Sequence, residues 1–457
     1  MNEFAAWDAV ETAERIAKRD VSSKEVVEAA VKRAEAKQHL GAFFTPTFER
    51  AMKEAATPAA GPFSGVPSAI KDLSKQAGTR TTFGSRGGSA TPSPKSDPWV
   101  NVFDALGFIS LGKTATPELG LTAVTEPLGF EPARNPWDPS RTTGGSSGGA
   151  ACAVAAGVLP LALASDGGGS IRIPAAACGL VGLKPTRGRF DMEGSNLLPV
   201  NVAVHGCVSR TVRDTVAFWK AVSSAVPRKH LPSMLPEGTA PAKALRIGFF
   251  TNALQTVVDA EIAQAVRDAA KTCAGLGHHV EEIANPSTPQ FEEDFLLFWA
   301  LTAYLQSSSM PYVAQRGFNT ELLDPWTKGL CVDFHKQRLR TFQAALRLRG
   351  LYENTWRPVL QKYDVVLSPV LGTLPPKLGH LGAELPPDVT RARLTEFVPF
   401  TSPYNVTGAP ALSLPLARST GGLPIGVQFG ADHGRERTLL ELALQLEAAR
   451  PWPLTAP

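Results

Sequence analysis

Three separated stretches hold the residue types in this chain that could do chemistry: Gly65-Val66-Pro67-Ser68-Ala69-Ile70-Lys71-Asp72, Gly144-Gly145-Ser146-Ser147-Gly148-Gly149 and Ser165-Asp166-Gly167-Gly168-Gly169-Ser170-Ile171-Arg172-Ile173-Pro174. They supply a lysine behind an apolar run, a serine in a glycine-rich turn, and a second serine after three glycines. A serine hydroxyl is a poor nucleophile until a base or a lowered pKa activates it. Lysine can be that base only where desolvation or positive neighbours hold it neutral. The run Val66 to Ile70 puts Lys71 at the end of an apolar strand, where burial has that effect. Together these groups are equipment for opening an amide without histidine or metal.

Two neighbours of these residues need separate readings. Asp72 adjoins the lysine and could keep it charged, but strand alternation turns it to the opposite face, so it is expected to be structural. Gly167, Gly168 and Gly169 fit either a tight turn or an oxyanion hole, several N–H groups aimed at one point with no side chains in the way. One such donor is worth about 3 kcal/mol of transition-state stabilisation. Three such permissive residues directly before a serine favour the hole.

Other motifs compete less well. Gly144-Gly145-Ser146-Ser147-Gly148 also satisfies the nucleophile elbow G-x-S-x-G, but an elbow follows a strand, and Asn135 to Ser140 does not read as one. Ser68-Ala69-Ile70-Lys71 matches S-x-x-K, yet neither S-D-N nor K-T-G occurs. No G-K-[ST] follows either glycine cluster, so phosphate binding is not indicated. The eight histidines show no ligand spacing, and His278-His279 reads as a strand start.

The three motifs, in this order, resemble the amidase signature family. The resemblance implies that Ser170 is the nucleophile, Ser146 the bridging serine and Lys71 the base at the end of the relay, with Ser146 in a cis peptide bond. The 24 residues from Ser146 to Ser170 agree with it. Further segments match: Gly112 to Glu118, Asn135-Pro136-Trp137, Gly179 to Thr186, Pro403 to Pro410, and Gly422 to Gln428. The likeness covers roughly 5–215 and 360–450. The N- and C-terminal stretches look most similar to bacterial hydrolases of the 6-aminohexanoate cyclic dimer type, a weaker resemblance.

The fold implied is one α/β/α domain over 1–457 around a large, mixed, mostly parallel sheet, with 225–355 a variable, largely helical region shaping the substrate pocket. The activity implied is hydrolysis of a linear or cyclic carboxamide through an acyl-enzyme; esters should react too. Arg172 is expected to secure the nucleophile loop. Leu121, Thr125 and the aromatics of 291–312 (Phe291, Phe295, Phe298, Trp299, Tyr304, Tyr312) are candidates to line an acyl pocket, although aromatic stripes on helices are more often core. The glutamine-hydrolysing component of a tRNA-dependent amidotransferase shares the same triad. That component carries an acid where this chain has Val398, and 320–350 lacks its tyrosine-rich pattern, so a standalone hydrolase is favoured. A non-catalytic descendant would not need Lys71, Ser146 and Ser170 intact.

The elements that must position these groups alternate between helix and strand, an α/β pattern. Ser22 and Glu25 form a capping box that starts an amphipathic helix near 23–36. Trp99 to Leu106 reads as a helix between strands at Phe63–Lys71 and Phe108–Leu111, and Gly41–Phe44 as a short buried strand. Ala150 to Gly157 is small and apolar all round, which suits a closely packed helix. Leu245–Phe250, Glu261–Ala274 and His279–Ile283 form a βαβ unit. Late strands fall at 364–367, 411–414 and 425–429, before a C-terminal helix at 435–449. The Pro-, Lys- and Gly-rich stretch 227–244 reads as an excursion within one domain.

Composition narrows the class. With 43% apolar residues the chain can bury a large core, and 46 basic against 42 acidic residues leave only +4, too little for a nucleic-acid surface. The five cysteines have no metal or disulfide spacing and read as buried free thiols. No signal sequence or span long enough for a bilayer is evident. The expectation is a cytoplasmic monomer or homodimer acting on a small-molecule amide, without cofactor, nucleic acid or membrane.

Overall fold

The computed structural model describes residues 3–190, 199–226, 230–310 and 317–457. Its strands fall into three sheets. The first has the order β1-β3-β2, from β1 (Phe43–Pro46), β2 (Pro67–Lys71) and β3 (Ile109–Thr114). β4 (Arg134–Asn135) and β5 (Asp138–Thr142) make a small hairpin. The large sheet contains β6 (Leu161–Asp166), β7 (Val181–Lys184), β8 (Val204–Ser209), β9 (Arg246–Phe249), β10 (His279–Glu282), β11 (Val365–Pro369), β12 (Ala411–Arg418) and β13 (Pro424–Gly430). Their order is β10-β9-β11-β13-β12-β7-β8-β6.

This sheet is mixed but not mostly parallel. Only β9–β10 and β9–β11 run parallel, and the other five neighbouring pairs are antiparallel. Parallel neighbours need a long crossover. The βαβ unit supplies one through the helix Ala260–Gly275, whereas β12 and β13 are joined by a tight turn at 419–423. The stretch before Gly144, expected not to be a strand, does form β5. Among the described residues it pairs with β4 and makes one further bridge, from Arg141 to Lys377, so it is not a strand of the large sheet, where an elbow's strand would lie.

Local signals explain the elements around the site. The Ser22 and Glu25 capping box forms, with both reciprocal hydrogen bonds, and starts the helix Ser23–Ala36. All eight residues of the helix Gly148–Ala155 are buried. Its glycines allow that approach: a Cβ on Gly149 would lie 2.2 Å from the Ala115 nitrogen. β2 packs along β6, with Ser68 Oγ donating to the Leu161 carbonyl at 2.9 Å. One apolar core joins both sheets, running from Val27, Ile70 and Leu111 through Leu163 and Leu183 to Leu412, Val427 and Leu440.

The helices Pro289–Ser309, Pro325–Lys336 and Arg338–Arg349 pack on one another, the first of them reaching the glycine loop after β6. From 230 to 244 the chain is loop, while residues 227–229 of that excursion lie outside the described residues. The five cysteines are free thiols, four of them buried.

Candidate active site

Lys71 ends β2 and is almost fully enclosed, 2% exposed. Because β2 runs beside β6, its side chain arrives opposite the end of that strand. Nζ donates to Ser146 Oγ at 2.7 Å and to Ser165 Oγ at 3.1 Å, and lies 3.4 Å from the Ser165 carbonyl. Burial drives its pKa down to about 7, and the nearby charge of Asp166 only partly opposes this. Asp72 faces the other way, as alternation requires: it pairs with buried Lys113 at 2.8 Å and accepts from the Thr82 N–H at 2.9 Å. The ammonium nearest Asp72 is therefore Lys113, and Lys71 is left to the serines.

Ser146 lies in the turn between β5 and the helix Gly148–Ala155, and the Gly145–Ser146 peptide is cis. Thr125 Oγ1 donates to the Gly144 carbonyl at 2.9 Å beneath this turn. Ser147 ties the turn to the next motif: its N–H donates to the Ser170 carbonyl at 3.2 Å, and its Oγ to the Ser165 carbonyl at 3.2 Å.

Asp166, which the sequence did not single out, anchors the glycine loop. Its carboxylate accepts from the N–H groups of Gly169 at 2.7 Å and Ile171 at 3.2 Å. It also pairs with Arg172 through Nε and Nη2, each at 3.0 Å. Burial alone would raise its pKa, but the Arg172 charge and the hydrogen bonds from Arg172 and Asn405 outweigh that and hold it down at about 2. Arg172 is wholly buried and secures the loop as expected, donating also to Thr401 O, Gln428 Oε1 and Asn405 Oδ1. The signal for Asp166 was its place six residues before an arginine, a pairing that only the turn geometry makes visible.

The three glycines are not equivalent. The N–H of Gly169 is taken by Asp166, so it is not free to hold an oxyanion. Its φ of 135° and the 2.2 Å from a built Cβ to Thr401 Oγ1 account for glycine there instead. The N–H groups of Gly167, Gly168 and Ser170 take no acceptor among the described residues.

Ser170 opens onto two chambers. One, of about 290 Å³, is lined by Ser146, Ser165, Gly167, Leu73, His205 and Met310. Burial holds His205 down at about 3, with the Lys71 charge adding to the effect, so this ring is neutral. The other, of about 110 Å³, is largely apolar, with Ile173, Phe295, Trp299, Trp326, Leu394 and Val398 in its wall.

Leu121 lines both chambers, and its carbonyl accepts from Trp299 Nε1 at 2.9 Å and Trp326 Nε1 at 3.0 Å. Thr125 lines neither: it is fully buried, with its hydroxyl spent on Gly144. Of the aromatic stripe, Phe295 and Trp299 face the site. Phe291 and Phe298 are core, and Tyr304 stacks on Phe334 at 4.6 Å. Tyr312 lies outside the described residues. Trp326 was missed because nothing local distinguishes it from a core tryptophan.

The fold is α/β, and residues 25–440 match the family described as Amidase, hydrolases of carbon–nitrogen bonds, to which this chain belongs. The putative amidase AmiC of Mycobacterium leprae is 41% identical over 464 residues, covering 97% of this chain and 95% of that protein. The 6-aminohexanoate-cyclic-dimer hydrolase of Pseudomonas sp. (strain NK87) is 34% identical, covering 100% of this chain and 98% of its own length. A solved structure of 6-aminohexanoate cyclic dimer hydrolase complexed with substrate has a TM-score of 0.91 at 31% identity, covering 100% of this chain and 99% of that one. No helix among the described residues is long and apolar enough to cross a membrane.

Proposed function

We propose that this amidase cleaves small carboxamides with an apolar acyl arm by a Ser-Ser-Lys relay through an acyl-enzyme. Ser170 Oγ attacks the carbonyl, its proton passing to Ser146 as Ser146 gives its own to neutral Lys71. The N–H groups of Gly167, Gly168 and Ser170 receive the oxyanion. The relay then runs backwards: Lys71 returns the proton through Ser146 to the leaving nitrogen, the carbon–nitrogen bond breaks, and water hydrolyses the ester by the same route. An amine leaves poorly without that proton, so the leaving group belongs in the chamber that Ser146 lines and the acyl arm in the aromatic one.

The reading rests above all on one observation: a buried lysine with its pKa lowered to about 7 stands 2.7 Å from Ser146 Oγ. The likeness to hydrolases of a 6-aminohexanoate cyclic dimer supports an aliphatic amide substrate. Labelling with a fluorophosphonate, followed by peptide mapping, tests it. The adduct is expected on Ser170 in the wild-type enzyme and absent in Lys71→Ala. A label on Ser146 or Ser147 would replace this mechanism with an elbow-type one.

A further inference from the structure

Glu292 is an acid with nothing to hold in the aromatic chamber. It lies on the helix Pro289–Ser309, three residues before Phe295 and seven before Trp299, a spacing that places all three on one face. Those two rings rest on the glycine loop: a Cβ built on Gly168 meets Phe295 Cζ at 3.3 Å, and one on Gly167 meets Trp299 at 3.5 Å. Glu292 is therefore about 4.5 Å further along the helix axis, away from the loop, and it lines the same cavity as Ser170.

The adjacent acids are both paired, Glu293 with Arg340 and Asp294 with Arg347 at 2.6 Å. The carboxylate of Glu292 meets no cation and no hydrogen-bond donor among the described residues, and its Oε2 is fully enclosed. Burial raises its pKa, with no partner to offset the effect. A half-buried carboxylate with one oxygen enclosed and no partner carries a desolvation cost, and part of that cost is recovered when a ligand brings a cation or donor to it. Apart from Ser170 and the hydroxyl-bearing Thr122, Thr395 and Ser402, the rest of the chamber wall carries no polar side chain, so a ligand that fills it is a mainly apolar arm with a polar end.

We infer that Glu292 recognises an amino group, so that the preferred amide has an acyl arm of several methylenes ending in a primary ammonium. The assignment rests on the acyl arm occupying this chamber, as proposed above. Ser170 receives the carbonyl at one end of the arm, and Glu292 pairs with the nitrogen at the other.

The test compares kcat/KM for the 4-nitroanilides of hexanoic and 6-aminohexanoic acid at neutral pH, with the wild-type enzyme, Glu292→Gln and Glu292→Met. The wild-type enzyme is expected to prefer the amino substrate at least tenfold. Glu292→Met should lower that ratio tenfold or more, the change falling on the amino substrate. Glu292→Gln should keep only part of the preference, and a 6-acetamidohexanoyl anilide, with a neutral N–H, should gain little from Glu292. Hydrolysis of the hexanoyl anilide with no wild-type preference, or an equal drop for both substrates in Glu292→Met, overturns the amino-group site and leaves the amidase mechanism standing. Loss of both turnovers together with failure of Ser170 to label in the wild-type enzyme would sink the two readings at once.

Discussion

Gly167, Gly168 and Gly169 are one residue type held in three different ways. At Gly169 a methyl group would have to sit 2.2 Å from Thr401 Oγ1 and 2.6 Å from Ile173 Cδ1, on a backbone with φ 135°. Gly169→Ala is therefore expected to cost roughly 2–4 kcal/mol of stability, with activity lost as the loop shifts. At Gly167 the nearest atom to a new Cβ is Trp299 Cη2 at 3.5 Å, an ordinary contact, and alanine keeps the N–H proposed for the oxyanion. Gly167→Ala should fold and retain kcat within about tenfold, since its donor survives. Urea denaturation and steady-state kinetics on both variants read this directly, and equal damage at the two positions would contradict the assignment. Ser146 invites a finer comparison. In the proposed relay it helps to activate Ser170 for either substrate and also returns a proton to an amine that cannot leave without one, so Ser146→Ala should depress both turnovers, the amide by about 10²–10⁴ and the ester by less. Parallel assays of a matched amide and ester measure this; equal losses would remove Ser146 from the protonation of the leaving amine.

Elements bring these residues together, and here the sequence was readable only in part. The capping box at Ser22, the small-residue helix after Ser147, the βαβ unit and the β12–β13 pair are local patterns, and they formed where the pattern lay. The preponderance of antiparallel neighbours depends on which strands meet across the sheet, and no window of the sequence holds that information. The same limit hid Asp166. Its carboxylate joins the end of β6 to the helix Ser402–Thr407 through Asn405 and, by way of Arg172, to β13 through Gln428, partners more than 230 residues away. Arg172→Met should leave this carboxylate buried and unpaired, at about 3–5 kcal/mol. The unshielded charge would also favour protonated Lys71, moving the acid limb of kcat/KM upward from about 7. Pairing the change with Asp166→Asn should recover most of the stability and return the limb towards its starting point. Denaturant midpoints and pH–rate profiles of the single and double variants check both consequences, and a profile that stays put in Arg172→Met would sever Asp166 from the lysine.

At the scale of the molecule, the proposed catalytic base is a burden on the fold. The folded enzyme holds Lys71 at about 7, below its usual 10.5. The unfolded chain therefore binds more protons between those values, and stability attributable to this group rises with pH across that window. The penalty is complete below about pH 7 and disappears towards pH 10.5. Over 3.5 units it amounts to about 5 kcal/mol. Its three contacts with Ser146 and Ser165 return part of that, about 1–3 kcal/mol. Lys71→Met fills the same space without a charge to desolvate, so it should be inactive and yet more stable than the wild type by roughly 2 kcal/mol at pH 6. By pH 9 the lysine is mostly neutral in the folded state, and the advantage should shrink by about 2–3 kcal/mol. Groups that titrate alike in both proteins cancel in the difference, which isolates this one residue. Urea midpoints of the two proteins at pH 6 and pH 9 make the measurement. A difference between the two proteins that does not change with pH would mean that Lys71 stays charged in the folded enzyme, and with it the proposed relay would lose its base.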